Sequence, residues 1–355
     1  MNLLVKRIVM VAAAAFVVAL MMPATATAMA PDPGADPDAD DDRNWGAGAG
    51  VRMMVGQGTF VSPSNDTEFA DEVDDGSGAY DRVMANLGVT FGYAWNGFEF
   101  GASTGFTQAL TPGGGPGGTR PYEGRIQDIE LEASHEDGFE IGETGISISP
   151  SFGADLPLST ASRTQTMLTS LSAGASISKS FFESLALSFS LGGSRTFHQY
   201  TSPIIDEEEV QDDEFTSRLF RPDGTEDIGG GRFAHSSINN QWGLSTGVGA
   251  MVMFSPKIMM MAQYSINNSW TYDVVDRDDE FSSEYQCENR CASQMSMGMI
   301  MLNYTLSENL MVMGGVTTTQ RPKTADNKTF NFPFYNFDRP AANNSMFSIG
   351  ISGSY

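Results

Sequence analysis

The side chains best suited to act on a passing molecule are a few carboxylates, one arginine and a row of methionines. Glu99, Glu130, Glu132, Glu140 and Glu143, with Arg52, fall among positions otherwise held by Gly, Ser and Thr. Carboxylates grouped in a confined space favour cations, and their mutual repulsion raises the pKa of some of them. The alternative is that the glutamates merely face water at one rim. Met251, Met253, Met259, Met261, Met299, Met301, Met311 and Met313 recur at every second position in four short stretches. Thioethers pack adaptably, so the set reads either as an apolar solute path or as packing that narrows an interior. A Cu(I) site would need Cys or His support, which is lacking. Phe330, Phe332, Phe334, Tyr335 and Phe337 form an aromatic group dense enough to require a surface to bury against. Three placements satisfy it: folding inward as a constriction or shelf, presenting a partner-binding patch, or packing on another large loop.

Other reactive residues point less clearly to chemistry. His135, His198 and His235 are scattered and lie in no nucleophile motif, so no enzymatic activity and no cofactor is expected. Asp36, Asp38 and Asp40 alternate, but the Gly and closing Glu of a calcium loop are missing, and no metal site is expected. Cys287 and Cys291 lie in an acidic stretch of a chain that reads as exported, where a disulfide is the default. Such a bond closes a small loop and stiffens its tip.

The elements that must position these residues follow from a period of two. Val83, Ala85, Leu87, Val89, Phe91, Tyr93 and Trp95 alternate with Met84, Asn86, Gly88, Thr90, Gly92 and Ala94. In a strand this makes one greasy face and one small, nearly uncharged face. A water-soluble sandwich would cover its outer face with Lys, Glu and Arg, so the apolar face here is expected to meet lipid. Runs of this kind predict twelve strands, with ten or fourteen as alternatives. They are 45–61, 82–95, 98–108, 125–136, 139–156, 165–181, 185–200, 237–254, 258–272, 294–306, 310–320 and 343–355. Short connections such as Asn96-Gly97 and Ser255-Pro256-Lys257 alternate with long ones such as Thr201 to Ser236. In the fifth strand the apolar phase slips, and a bulge near Gly142 to Gly145 would restore it. Pairing Leu306 with Leu310 turns the methionines to the side opposite Ile300, Leu302 and Tyr304.

The 355-residue chain carries a net charge of −24 and a mean hydropathy of −0.20. Its one long apolar run, Ile8 to Met22, follows Lys6 and Arg7 and precedes Ala24 to Ala28, the pattern of a cleaved secretory signal over residues 1–28. Residues 29–43 read as an acidic Pro/Asp-rich disordered linker. Residues 44–355 read as one all-β unit.

Short turns on one rim, long loops on the other, two sets of rim aromatics and a last strand ending on Tyr355 resemble Gram-negative outer-membrane β-barrel proteins of the porin-like kind. The resemblance covers everything after Pro31 and selects no subfamily. It implies a transmembrane antiparallel up-and-down barrel in the outer membrane, surrounded by lipid and lipopolysaccharide. It also implies recognition of Tyr355 by the barrel assembly machinery and no nucleic-acid partner. The small inward residues are expected to leave a narrow lumen passing small solutes; the competing expectation is a lumen closed by an infolded loop. A different class is a surface adhesin or receptor in which the barrel is only an anchor and the loops bind.

Overall fold

The computed structural model describes residues 45–56, 83–111, 124–135, 138–182, 184–206, 225–227, 232–235, 238–273, 290–323, 328–334 and 345–354. The expected signal, linker and Tyr355 lie outside these. Its strands, in chain order, are β1 (Trp45–Gly56), β2 (Val83–Trp95), β3 (Phe98–Ala109), β4 (Gly124–Ile126), β5 (Ile129–His135), β6 (Phe139–Glu140), β7 (Ile146–Leu156), β8 (Met167–Phe181) and β9 (Leu185–His198). They continue with β10 (Ile204–Asp206), β11 (Thr225–Asp227), β12 (Arg232–His235), β13 (Asn240–Ser255), β14 (Ile258–Thr271), β15 (Ala292–Ser307), β16 (Leu310–Gln320) and β17 (Ser345–Ser354). A short helix, α1 (Thr160–Thr164), lies between β7 and β8.

Fourteen of these segments form one sheet. β4 and β6 extend the stave of β5, so the sheet has twelve antiparallel staves. The ring closes where β1 pairs with β17, from Gly48 opposite Ser354 to Gly56 opposite Met346. Every stave thus has a partner on both sides, the condition a sheet must meet in hydrocarbon, where no water satisfies an open edge.

The tight turns follow local chemistry. Asn96 and Gly97 both have positive φ, 51° and 76°, as a type I′ hairpin demands, and Trp95 lies opposite Phe98. The fourth and fifth strands correct the expectation. Ser134 pairs with Ser151 but Phe139 with Ile148, five residue steps on one stave against three on the other. The irregularity therefore lies before Phe139, and the reversal is made by Ile141 to Ile146. There Gly142 and Gly145 have positive φ, and the Ile141 amide donates to the Ile146 carbonyl at 2.9 Å. Gly138 is needed at the irregularity, since its φ is 64° and a Cβ would press on the Ile148 carbonyl at 2.8 Å. Both sites are glycine-rich turn formers, and only the cross-strand register separates turn from bulge.

Three smaller differences follow. Ser307, not Leu306, lies opposite Leu310, and the extra residue sits between Thr305 and Ser307 without changing which face the methionines take. The fourth stave is interrupted at Gln127 and Asp128. The long fourth connection, expected as a loop, contains a small sheet of order β10-β12-β11.

Packing is inverted relative to a soluble protein. Among the described residues the buried hydrophobics are Val83, Ala109, Ile204 and Met301, while the largest fully buried side chains are Thr164, Thr318, Ser296 and Ser345. Trp45, Phe91, Trp95, Phe152, Leu302 and Ile349 stand exposed on the outer face. Apolar burial is the main force that holds folds together, so these residues contribute only if lipid covers them.

At the long-loop rim the staves are tied by a buried asparagine. Asn239 Nδ2 donates to the carbonyls of Gln165 (2.7 Å) and Tyr200 (3.0 Å), and its carbonyl accepts from the Tyr272 amide. Replacing it by alanine removes both side-chain bonds, a loss of about 1–3 kcal/mol for buried groups left unsatisfied. Asn239→Ala is expected to lower the urea midpoint of the refolded barrel in micelles while its β circular-dichroism spectrum stays the same. An unchanged midpoint contradicts this role.

Candidate functional site

Side chains alternate across a strand, so the outward rows of aromatics fix which residues turn inward on each stave. Glu99 on β3, Glu130 and Glu132 on β5 and Glu140 on β6 all take the inward register. They are strung along the wall rather than gathered at one rim: Glu140 lies opposite Ser147 beside the turn, whereas Glu130 lies higher, between Ser103 and Asp155. Ser103 Oγ donates to Glu130 Oε2 at 3.3 Å. Glu143 belongs to the Gly142–Thr144 turn below the wall.

Two further ions turn inward. Asp155 faces Glu130 directly, and Arg125 faces Thr107. Asp155 shares the phase of Ser147 and Ser151 and is the last polar residue of its run, and Arg125 sits on a three-residue segment too short to show one. Asp128 has a different task. It accepts from the amides of Leu158 (2.8 Å) and Ser159 (2.7 Å) and from Ser162 Oγ, pinning the α1 segment to the fourth stave. Ser159 caps that helix by accepting from the Ser162 amide. Beside this acidic side lies a cavity of about 620 Å³ bordered by Gly88, Thr90, Ser103, Glu130, Asp155 and His198.

The methionines take the opposite sector. Met251 pairs with Met261, Met253 with Met259 and Met261 with Met301, all on the inward face. Met299, Met311 and Met313 share that face, opposite Thr317, Ser352 and Gly350. Arg52 reaches over Gly350 and donates to Met313 Sδ at 3.3 Å. Met54 opposite Met84, and Met346 opposite Gly56, extend the thioether wall onto β1, β2 and β17. Single methionines carry no spacing signal, which is why these escaped the sequence reading.

Between the two sectors, serine and glycine interlock. Ser190 Oγ lies 2.7 Å from where a Cβ on Gly247 would sit, Ser188 Oγ 2.6 Å from that of Gly249 and Ser245 Oγ 3.0 Å from that of Gly192. Each is a direct cross-strand partner. The glycines here make room for a neighbour's hydroxyl, so part of the space they leave is filled.

The remaining candidates lie elsewhere. His135 turns outward between Phe98 and Phe139, with ring centroids at 5.1 and 4.8 Å, whereas His198 turns inward at the other end of the wall. Of the aromatic group, Phe330, Phe332 and Phe334 are described. Pro333 and Phe334 cover the outer face of the wall at Gly298, where a Cβ would overlap the Pro333 carbonyl, and Gln320 Nε2 donates to the Phe332 carbonyl. Thr318 and Ser345, hydrogen-bonded to each other at 2.6 Å on the same outer register, are buried. Tyr335, Phe337 and Cys287 lie outside the described residues; the Cys291 amide donates to Thr271 Oγ1 at 3.0 Å.

Above the membrane-spanning strands, Arg290 holds Asp273 through two bonds, Nε to Oδ1 and the terminal nitrogen to Oδ2 at 3.1 Å. These bonds from Arg290 hold the Asp273 carboxyl below its ordinary value of 3.8. A depressed carboxylate contributes stability above its unfolded pKa and loses it as pH falls through the folded one. The pair is therefore expected to persist at neutral pH and to open only below about 3.8. Titration of the Asp273 carboxyl carbon by NMR checks this, and a midpoint at or above the ordinary value contradicts it.

A closed ring, an apolar outer wall and short turns opposite long loops together define a transmembrane β-barrel of the outer-membrane type. No protein-family model matches the chain, and no curated protein is similar to it in sequence. Among solved structures it is similar to the NanC porin, with a TM-score of 0.40 and 8% identity over 86% of this chain and 98% of that one. It is also similar to the KdgM porin (0.37, 9%, 87% and 99%) and to the outer-membrane channel DcaP of Acinetobacter baumannii (0.32, 11%, 88% and 95%). These likenesses are of barrel architecture alone.

Proposed function

We propose that the barrel is an outer-membrane channel for passive passage of small solutes, with a preference for cations and a partly apolar path. The charge of the inward face supports this best. Among the described strand residues, Glu99, Glu130, Glu132, Glu140 and Asp155 turn inward against Arg52 and Arg125. A cleft lined by one sign of charge focuses its field and raises the local concentration of counter-ions. Across the lumen the thioether wall offers an apolar surface that adapts to varied shapes. Twelve staves fall between barrels that side chains fill and those that hold a wide aqueous channel. Removal of the signal, closure of a Cys287–Cys291 disulfide at a loop tip and recognition of Tyr355 during assembly belong to the same reading.

The anchor reading has one observation in its favour: Phe330 and Phe332 are 72% and 54% exposed beyond the wall. Planar-bilayer recordings across a KCl gradient separate the two. The channel reading predicts steady conductance with a cation-selective reversal potential. Neutralising Glu130 and Asp155 together removes two charges, each worth about 0.5 kcal/mol at ~8 Å in water, which weakens cation accumulation roughly fivefold and lowers the cation-to-anion permeability ratio by at least that factor. A silent barrel that still binds cells, or selectivity indifferent to both substitutions, contradicts it.

A further inference from the structure

The lipid-facing wall carries a groove that the channel reading does not use. Its floor is Ala173 opposite Gly193, flanked on the same rung by Phe152 and Leu244. One rung nearer the long-loop rim, Leu171, Arg195, Trp242 and Trp270 stand side by side. These residues border a space of about 900 Å³. The Arg195 guanidinium lies 4.9 Å from the Phe197 ring and 4.7 Å from the Trp242 ring. Among the described residues no carboxylate pairs with Arg195. Arg290, at the upper edge of the groove, is already held by Asp273. No carboxylate of the described barrel staves takes the outward register, since Glu99, Glu130, Glu132, Glu140 and Asp155 all turn inward.

A lone arginine on a lipid-facing wall is unfavourable unless an anion meets it, and the penalty falls toward the interface. Aromatic faces on both sides hold this guanidinium in place while leaving its N–H edge free for an acceptor. Outside the protein, the acceptors a bilayer offers toward the long-loop rim are the lipid headgroups of the outer leaflet. The apolar floor beneath Arg195 has the shape of a seat for one hydrocarbon chain.

We propose that this groove binds one lipopolysaccharide molecule of the outer leaflet, with a lipid A phosphate on Arg195 and one acyl chain over Ala173 and Gly193. The site concerns the outer wall and stands or falls separately from the lumen reading. Native mass spectrometry of the delipidated full-length barrel in a neutral detergent tests it, with bis-phosphorylated lipid A, its dephosphorylated form, phosphatidylglycerol and inorganic phosphate as probes. One bis-phosphorylated lipid A is expected to remain bound, with affinity at least about tenfold above the dephosphorylated form, as for loss of a charge-assisted bond. Arg195→Gln is expected to erase that difference and Arg195→Lys to retain part of it. Gly193→Leu, which fills the seat, is expected to weaken binding of the acylated probe. Equal binding of the two lipid A forms to the unaltered protein overturns the proposal without any variant. Equal binding of phosphatidylglycerol or inorganic phosphate overturns the choice of lipopolysaccharide, and Arg195→Gln binding like the parent overturns the role of Arg195.

Discussion

Everything in this molecule depends on the hydrogen bonds between its first and last strands. In hydrocarbon an unpaired backbone amide or carbonyl costs several kcal/mol, so an open sheet with this outer surface would have no stable place. The β1–β17 ladder removes both edges at once. The ladder is disturbed in β13 between Met253 and Ser255 and in β15 between Thr305 and Ser307, next to the turns where water is within reach. At the interruption higher on the fourth stave, side chains and neighbours take over: the Gln127 amide donates to the Gly105 carbonyl and Thr104 Oγ1 to the Gln127 carbonyl.

Closure has a second consequence, because it frees the inner face from the work of stabilisation. With the apolar residues turned to lipid, the lumen is free to hold carboxylates, thioethers and hydroxyls in separate sectors. The acidic sector spans β3 to β7, the serine and glycine sector spans β7 to β14, and the thioether sector runs from β13 round to β2. Arg52, bound to Met313, sits within the thioether sector, away from the glutamates. The carboxylates thus line one wall rather than a ring, and the thioethers line another.

The period of two made the barrel legible from residues alone, since the phase of Val83 to Trp95 survives unbroken in β2 and the Asn96-Gly97 turn sits where its chemistry places it. Where the phase breaks, the sequence misleads. Gly138, Gly142 and Gly145 all suit a turn, and pairing with β7 decides among them. The inward register of Glu130 and of the eight methionines could be read because each lies in a long alternating run. Asp155 was legible in the same way, in phase with Ser147 and Ser151, whereas Arg125 on an isolated short segment was not. The outward fold of Phe330 to Phe334 had no signal either: it depends on Gly298, a strand glycine 35 residues earlier in the chain, admitting the Pro333 carbonyl.

The central claim is that lipid, not water, covers the face bearing Phe91 and its row. Spin labels placed one at a time from Val83 to Trp95, with accessibility to oxygen and to a water-soluble nickel complex measured in bilayers, test it most directly. The account predicts oxygen access at the odd positions and nickel access at the even ones, with a period of two along the whole strand. Nickel access at the odd positions, or no alternation, would contradict it.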